Sequence, residues 1–337
     1  MDPKMGGAVF VQTNSASNEV VAFTRAADGS LAQAGSYATG GAGDATPHLT
    51  SQGSVTLTGD RRHLLVTNAA SGDVSVFAIN GSMLELTKTV PVGPAPKSVA
   101  ERDGLVFVLT TGDATIHGVR LIDGELVPID GATRALSTAD CAQIGLTPDG
   151  RALIATERGA DKLSIFAVAM NGVLGEPRTI DSLGATPYGF AISPRGTLVV
   201  TEAFRAEKGA AAASSYRIDG DSIVPVTASI GNGRSEICWA VITTDGRYTF
   251  TTNFADGAVS RYAIGMDGSL TLEDATAGLT EDGRPGLRDE DLSDDGRFLY
   301  AIDADQGQVV AWSVDDRGNL APIGARFPRP STNHATT

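Results

Sequence analysis

The sequence predicts an all-β fold, a seven-bladed β-propeller with four antiparallel strands per blade, and three observations lead there. First, one unit recurs. It runs as an apolar strand, a Pro/Asp-Gly turn, a second strand ending near Thr-Asn or Thr-Glu, a third strand, an Asn-Gly or Asp-Gly turn, and a fourth strand. The clearest copies run from Ile144 to Leu174 and from Ala240 to Leu270. Second, the first turn is marked at Asp60, Asp103, Asp149, Arg195, Asp245 and Asp295, with gaps of 43, 46, 46, 50 and 50 residues. That spacing is the repeat length of one propeller blade. Third, the other turn falls at Asp28-Gly29, Asn80-Gly81, Asp123-Gly124, Asn171-Gly172, Asp219-Gly220, Asp267-Gly268 and Arg317-Gly318, which sets the number of blades at seven.

Each element has a local cause. Leu64-Leu65-Val66, Val74 to Phe77, Leu163 to Phe166 and Val309 to Trp312 are short, rich in β-branched or aromatic residues, and bounded by Gly, Asp or Asn; these are strand signals. The Asn-Gly and Asp-Gly pairs accept the positive φ that tight hairpins need. Helical periodicity is sustained nowhere, and Ala206 to Ala213 reads as a short Ala-rich loop insertion. No linker interrupts the repeat, so residues 1–337 are expected to form a single domain. Ala8 to Thr13 matches a second strand with no first strand before it. The missing inner strand is therefore expected from Phe327 to His334, closing the ring by pairing the C-terminal segment with the N-terminal blade. Pro328 and Pro330 make that segment a weak strand.

Composition narrows the function classes. A chain with 42% hydrophobic and 20% charged residues has ample material for a core, which excludes a disordered chain. With 26 basic and 40 acidic residues the formal charge is -14, which opposes binding to nucleic acid or an anionic membrane. No apolar run approaches the roughly 20 residues that cross a bilayer, and Met1 to Met5 lacks the features of a secretory signal. Cys141 and Cys238 cannot build a disulfide framework. A cytoplasmic protein, monomeric or weakly self-associating, is the expectation.

In such a blade the starts of first strands and the ends of second strands meet around one mouth of the central channel, the default place for a site. Two second strands end in carboxylates, Glu157 and Glu202, each with an arginine nearby, Arg158 and Arg205. First-strand starts add Gln52, Gln143, Tyr188, Glu236 and Trp239, and the last blade adds Arg288, Asp289 and Glu290. Glu290 stands in a column otherwise filled by Val55, Ile144, Phe190 and Ala240. Arg288 is suited to hold a carboxylate through a bidentate fork. His48, in the long loop before the second blade, can reach the mouth, whereas His63 and His117 read as structural. No His or Cys pair has zinc-ligand spacing, and no metal or organic cofactor is expected. Calcium or magnesium on Glu157, Glu202, Asp289 and Glu290 is a chemical alternative without a ligand loop of fixed spacing.

Thr147-Pro148-Asp149-Gly150-Arg151, Asp245-Gly246-Arg247-Tyr248, Asp295 to Tyr300 and Gly72 to Ile79 resemble the lactonase-type seven-bladed propellers, which include bacterial 6-phosphogluconolactonases and fungal carboxymuconate cyclases. The resemblance spans essentially the whole chain. It implies cofactor-free chemistry on small lactones or related acids, with His, Arg and Glu side chains at the channel mouth. Glu202, Glu236 and Arg288 match acidic and arginine positions of that family, whereas Cys141-Ala142-Gln143 stands where its histidine would open the fourth inner strand, and Tyr188-Gly189 where Arg-His is usual. The resulting expectation is a lactonase or isomerase for a small organic acid or its lactone. Glu202 serves as general base, Glu157 or Glu236 as the complementary acid, and Arg288 as anion anchor. His48, Gln52, Gln143, Arg158, Tyr188, Trp239, Asp289 and Glu290 contact the substrate. The alternatives are a noncatalytic propeller binding a metabolite or a protein on its rim, and a metal-dependent lactone hydrolase.

Overall fold

A computed structural model describes residues 6–46, 52–280, 283–324 and 327–328. Seven antiparallel sheets follow one another along the chain as the blades of a propeller. Six of them carry four consecutive strands from the channel outward, and three strands of the first are described, Ala8–Gln12, Glu19–Arg25 and Leu31–Ala38. The inner strands of blades 4 to 7 are Gln143–Leu146, Pro187–Ile192, Ile237–Ile242 and Leu287–Leu292. Their second strands are Ala152–Glu157, Thr197–Glu202, Tyr248–Asn253 and Phe298–Asp303. No helix among the described residues is long and apolar enough to cross a membrane.

The turn that repeats in sequence is held by its own side chains. In blade 4 the Thr147 hydroxyl donates to Asp149 Oδ1 at 2.7 Å, and the same oxygen accepts the Arg151 amide at 3.1 Å. Thr243 and Asp245 repeat the arrangement at 2.7 Å in blade 6, and Ser293 and Asp295 at 2.6 Å in blade 7. Such a side-chain-closed turn needs no tertiary help, which is why its spacing survives as a ruler.

The core lies between blades. Phe107, Leu109 and Ile116 of blade 3 pack with Ile144, Leu153 and Phe166 of blade 4, and Ile154, Leu163 and Ile165 of blade 4 pack with Phe190, Leu198 and Val200 of blade 5. Each blade thus buries both faces, and none is stable without its neighbours. Among the described residues, the ring closes by side chains. Val11, Val21 and Phe23 of blade 1 pack against Phe298, Tyr300 and Val309 of blade 7, and the Tyr300 hydroxyl donates to Gly29 O at 2.8 Å.

Of the segment expected to supply the closing strand, Phe327–Pro328 pairs with Gln308 and Val309 in the third strand of blade 7 rather than with blade 1. The outer strand Leu320–Pro322 covers only Trp312 to Val314 of that third strand, leaving an open edge that the two residues fill. Residues 329–337, including His334, lie outside the described residues. The Ala-rich insertion is shorter than the sequence suggests, because Ala212 and Ala213 already belong to the third strand of blade 5.

Candidate active site

Strand register shows which residues are equivalent from blade to blade. Ile144 pairs with Ala155, Phe190 with Val200, Ala240 with Thr251 and Glu290 with Ala301. Two residues before these positions stand Ala142, Tyr188, Cys238 and Arg288, and two residues earlier again stand Asp140, Thr186, Glu236 and Gly286. Thr186 and Glu236 have φ of 59° and 54°, and Gly286 has φ of 134°, because the chain must turn sharply to enter the inner strand. In blade 6 this left-handed entry position carries a carboxylate.

A cavity of about 370 Å³ opens on this face of blades 4 to 7 and is built almost wholly from repeated positions. The entry residues Asp140, Thr186 and Glu236 form one wall; Tyr188, Cys238 and Arg288 form the floor; Arg158, Ala203 and Phe254, each following a second strand, complete it together with Arg205. The volume suits a small molecule. Three arginines and two acids line it, so the cavity attracts anions in a protein whose net charge is -14.

Two guanidiniums are fixed on aromatic faces. Arg158 lies 4.8 Å from the Tyr188 ring centroid and donates through Nε to Asp140 Oδ1 at 2.9 Å. Arg288 lies 4.0 Å from the Phe254 ring centroid. Only 6% of Arg288 is exposed, its Nε has no hydrogen-bond partner, and its nearest carboxylate, Asp305, is 3.9 Å away. Burial opposes the charge of Arg288, and Asp305 partly restores it. A guanidinium in that state gains from an anion placed against it. Glu236 is half-buried, and its carboxylate makes no hydrogen bond among the described residues; its backbone carbonyl accepts the Phe254 amide at 2.9 Å. Cys238 is no rival nucleophile, since burial pushes its thiol up to about 12.

The cavity brings together four of the sequence-derived candidates, Glu236, Arg288, Arg158 and Tyr188. Trp239 lies beneath, fully buried and edge-on to Tyr188 at 5.7 Å. The others sit elsewhere. Gln52 reaches blade 6, donating to Ala240 O at 2.9 Å and accepting from its amide at 3.3 Å, and Gln143 does the same with Phe190 at 3.1 and 2.6 Å. Both amides thus act as bridges between inner strands. Asp289 and Glu290 follow Arg288 along the inner strand and do not line the cavity. His48 lies outside the described residues.

Glu202 and Glu157 require correction as acid and base, because their side chains turn into their own blades. Glu202 is fully buried, with Ser214 Oγ at 2.5 Å from Oε1 and Ser229 Oγ at 2.6 Å from Oε2. The Gly184 amide also binds it, and a Cβ at Gly184 would collide with the carboxylate. Burial raises its proton affinity, and the two serines and Gly184 oppose that rise. Glu157 accepts from Ser164 Oγ at 2.5 Å and from the Ser137 amide at 2.7 Å. Asn68 with Ser75 at 2.8 Å and Asn253 with Ser260 at 2.9 Å form the same lock with an amide. Glu202→Ala, which strands three buried donors, is expected to cost on the order of 3 kcal/mol in chemical denaturation. A stable but inactive Glu202→Ala protein would return the residue to the chemistry.

Asp140, Thr186, Arg205 and Cys238 are among the lining residues that the sequence analysis did not assign to the site. Counting back by blade from Glu236 reaches Thr186 and then Asp140, so the repeat itself held the signal.

The lactonase, seven-bladed β-propeller family model matches residues 98–203 and 203–320. The chain belongs to that lactonase family. Solved propellers align along nearly its full length. A candidate 6-phosphogluconolactonase from Bacteroides uniformis superposes with a TM-score of 0.77 at 16% identity, covering 96% of each chain. A protein from Lactobacillus plantarum gives 0.77 at 17% over 96% of each chain. The periplasmic gluconolactonase PpgL of Pseudomonas aeruginosa gives 0.73 at 17% over 96% of each. At those identities the likeness speaks for the fold. A comparison with curated protein sequences found no match.

Proposed function

We propose that this lactonase-family member hydrolyses a small anionic lactone in the cavity above Tyr188, Cys238 and Phe254. The observation that carries the reading is the nearly buried Arg288 guanidinium, its Nε without a partner, lining the same cavity as the unengaged Glu236 carboxylate. Family membership supports a lactone as substrate. In this scheme Glu236 takes a proton from water as the oxygen attacks the lactone carbonyl. The carbonyl oxygen becomes an oxyanion held by Arg288. When it collapses, the ring C–O bond breaks and Glu236 returns its proton to the departing ring oxygen. The product is the open hydroxy acid, whose ionisation releases one proton per turnover. Arg158, locked on Asp140 and Tyr188, orients the remainder of the ligand.

No organic cofactor enters these steps. Among the described residues no group of three or more His, Cys, Asp and Glu is placed to hold a metal ion. A cavity that gathers convergent charges from four successive blades favours chemistry over rim binding. The test is proton release from a panel of γ- and δ-lactones and unsaturated acids. Turnover of anionic lactones is expected. Turnover of the unsaturated acids alone would make the protein a cycloisomerase, and silence across the panel with measurable ligand binding would make it a binding module.

A further inference from the structure

Four residues connect the second and third strands in blades 2, 3, 4, 6 and 7, whereas blade 5 uses nine, Ala203 to Ala211. In blades 4 and 6 the connection is one 3-10 turn, Arg158–Ala160 or Phe254–Asp256, followed by a single left-handed residue, Asp161 at φ 54° or Gly257 at φ 56°. Blade 5 departs from this pattern. Phe204, Arg205 and Ala206 are left-handed in succession, at φ 45°, 54° and 63°, a run of side-chain-bearing residues found nowhere else among the described residues. The left-handed entries at Thr186 and Glu236 belong to the repeat; this run does not. Each such residue costs roughly 1–2 kcal/mol, and strain of this kind gathers at ligand clamps.

The run carries Arg205 to the cavity wall and hooks it onto blade 4. Its amide donates to Thr186 Oγ1 at 3.0 Å, the Thr186 amide donates to Asp161 Oδ1 at 2.7 Å, and Arg205 Nη2 pairs with Asp161 Oδ2. The side chain stays 67% exposed, and Nε and Nη1 have no partner among the described residues. Asp161 thus engages Nη2 and leaves Nε–H and the Nη1 hydrogens, on different edges of the guanidinium, each free to donate to an oxygen of a carboxylate or phosphate.

We propose that Arg205 is a specificity-determining residue that binds an anionic substituent of the lactone remote from its reacting carbonyl. This rests on the lactonase reading of the cavity and adds to it a second anion-recognising arm, supplied by the nine-residue connection of blade 5. Because recognition lies away from the reacting centre, it acts on binding more than on turnover.

The test uses three hydroxy acids that differ only at the far end of the chain: gluconate with a hydroxyl, glucarate with a carboxylate and 6-phosphogluconate with a phosphate. Titration calorimetry of the wild-type protein is expected to show glucarate or 6-phosphogluconate binding roughly 10–100-fold tighter than gluconate, and the tighter of the two names the anion. Arg205→Ala loses that preference while its gluconate affinity changes less than about 2-fold, Arg205→Lys keeps part of it, and Glu236→Gln keeps all of it. Equal affinity of the wild type for the three acids, or an undiminished preference in Arg205→Ala, overturns the inference. Lost preference in a protein that opens no lactone leaves the Arg205 arm standing and removes the lactonase reading.

Discussion

Glu236→Gln is expected to lower kcat on the preferred lactone by roughly 10²–10⁴-fold, the usual contribution of a positioned acid or base, with little change in stability. The expectation of intact folding follows from the structure around it. The work Glu236 does for the fold passes through its backbone, whose carbonyl accepts the Phe254 amide at 2.9 Å and lies 3.3 Å from Cys238 Sγ. The carboxylate itself engages nothing among the described residues. The position is left-handed, at φ 54°, where a glycine would relieve strain, so the residue type is not one that folding selects. Arg288→Met is expected to cost roughly 10²–10³-fold in kcat as an oxyanion donor is lost, and to leave the protein at least as stable. Methionine fills the place beside Phe254 without a buried charge. If Glu236 and Arg288 work on the same reacting atoms, the double variant loses far less than the product of the two single losses. Denaturation midpoints measured beside initial rates separate these effects. A Glu236→Gln protein with unchanged kcat, or one that loses activity only by unfolding, removes Glu236 from the mechanism.

The propeller is legible in the sequence because its signals are local. An Asp that closes its own turn, as Asp149 does with Thr147 and the Arg151 amide, leaves the same mark whatever surrounds it. Glu236 and Arg288 are legible for a related reason, since each stands at a fixed step of the repeat. Glu202 shows where such reading fails. A second strand ending in Glu looks the same whether the carboxylate faces the channel or turns outward, and the deciding partners, Ser214 and Ser229, lie on other strands. A clue exists all the same: Ser75, Ser164 and Ser260 each stand seven residues after Asn68, Glu157 and Asn253, and that pairing marks the position as structural. The cavity's boundary is the least legible part. Arg205 enters it through three left-handed residues of an insertion, and no pattern of residue types encodes that path.

Glu290→Leu is expected to stabilise the protein at neutral and alkaline pH while doing nothing of the kind near pH 4. Register places Glu290 opposite Ala301, in the column where Phe190 and Ala240 stand in the preceding blades. Only 4% of it is exposed, and neither carboxylate oxygen makes a hydrogen bond of ordinary geometry, the backbone of Thr252 alone favouring its charged form. Burial drives its proton affinity well above the ordinary carboxylate range, and the neighbouring Asp289 and Asp291 add to the rise. Burial raises those two carboxyls as well, to about 7 and about 6, against the backbone of Glu290 for Asp289 and the Leu292 amide and Arg61 for Asp291; Asp289 is half-buried and Asp291 exposed, whereas Glu290 is shut off. The folded protein therefore holds a proton on Glu290 that the unfolded chain releases above its usual pKa of about 4.3. With more protons bound in the folded state, stability falls as pH rises, by at most about 1.4 kcal/mol per pH unit, and levels off once the folded group ionises. Leucine removes Glu290's share of that slope and fills the apolar column, so the gain over wild type should grow from pH 4 to a few kcal/mol at pH 8, while the raised Asp289 and Asp291 keep a shallower slope of the same sign. Glu290→Gln, which keeps the shape but leaves an unpaired amide, should remove the same share of the pH slope with a smaller gain. Chemical denaturation at pH 4, 6 and 8 gives the comparison. A pH slope as steep in both variants as in the wild type would mean that Glu290 does not carry the extra proton and is ionised in the fold.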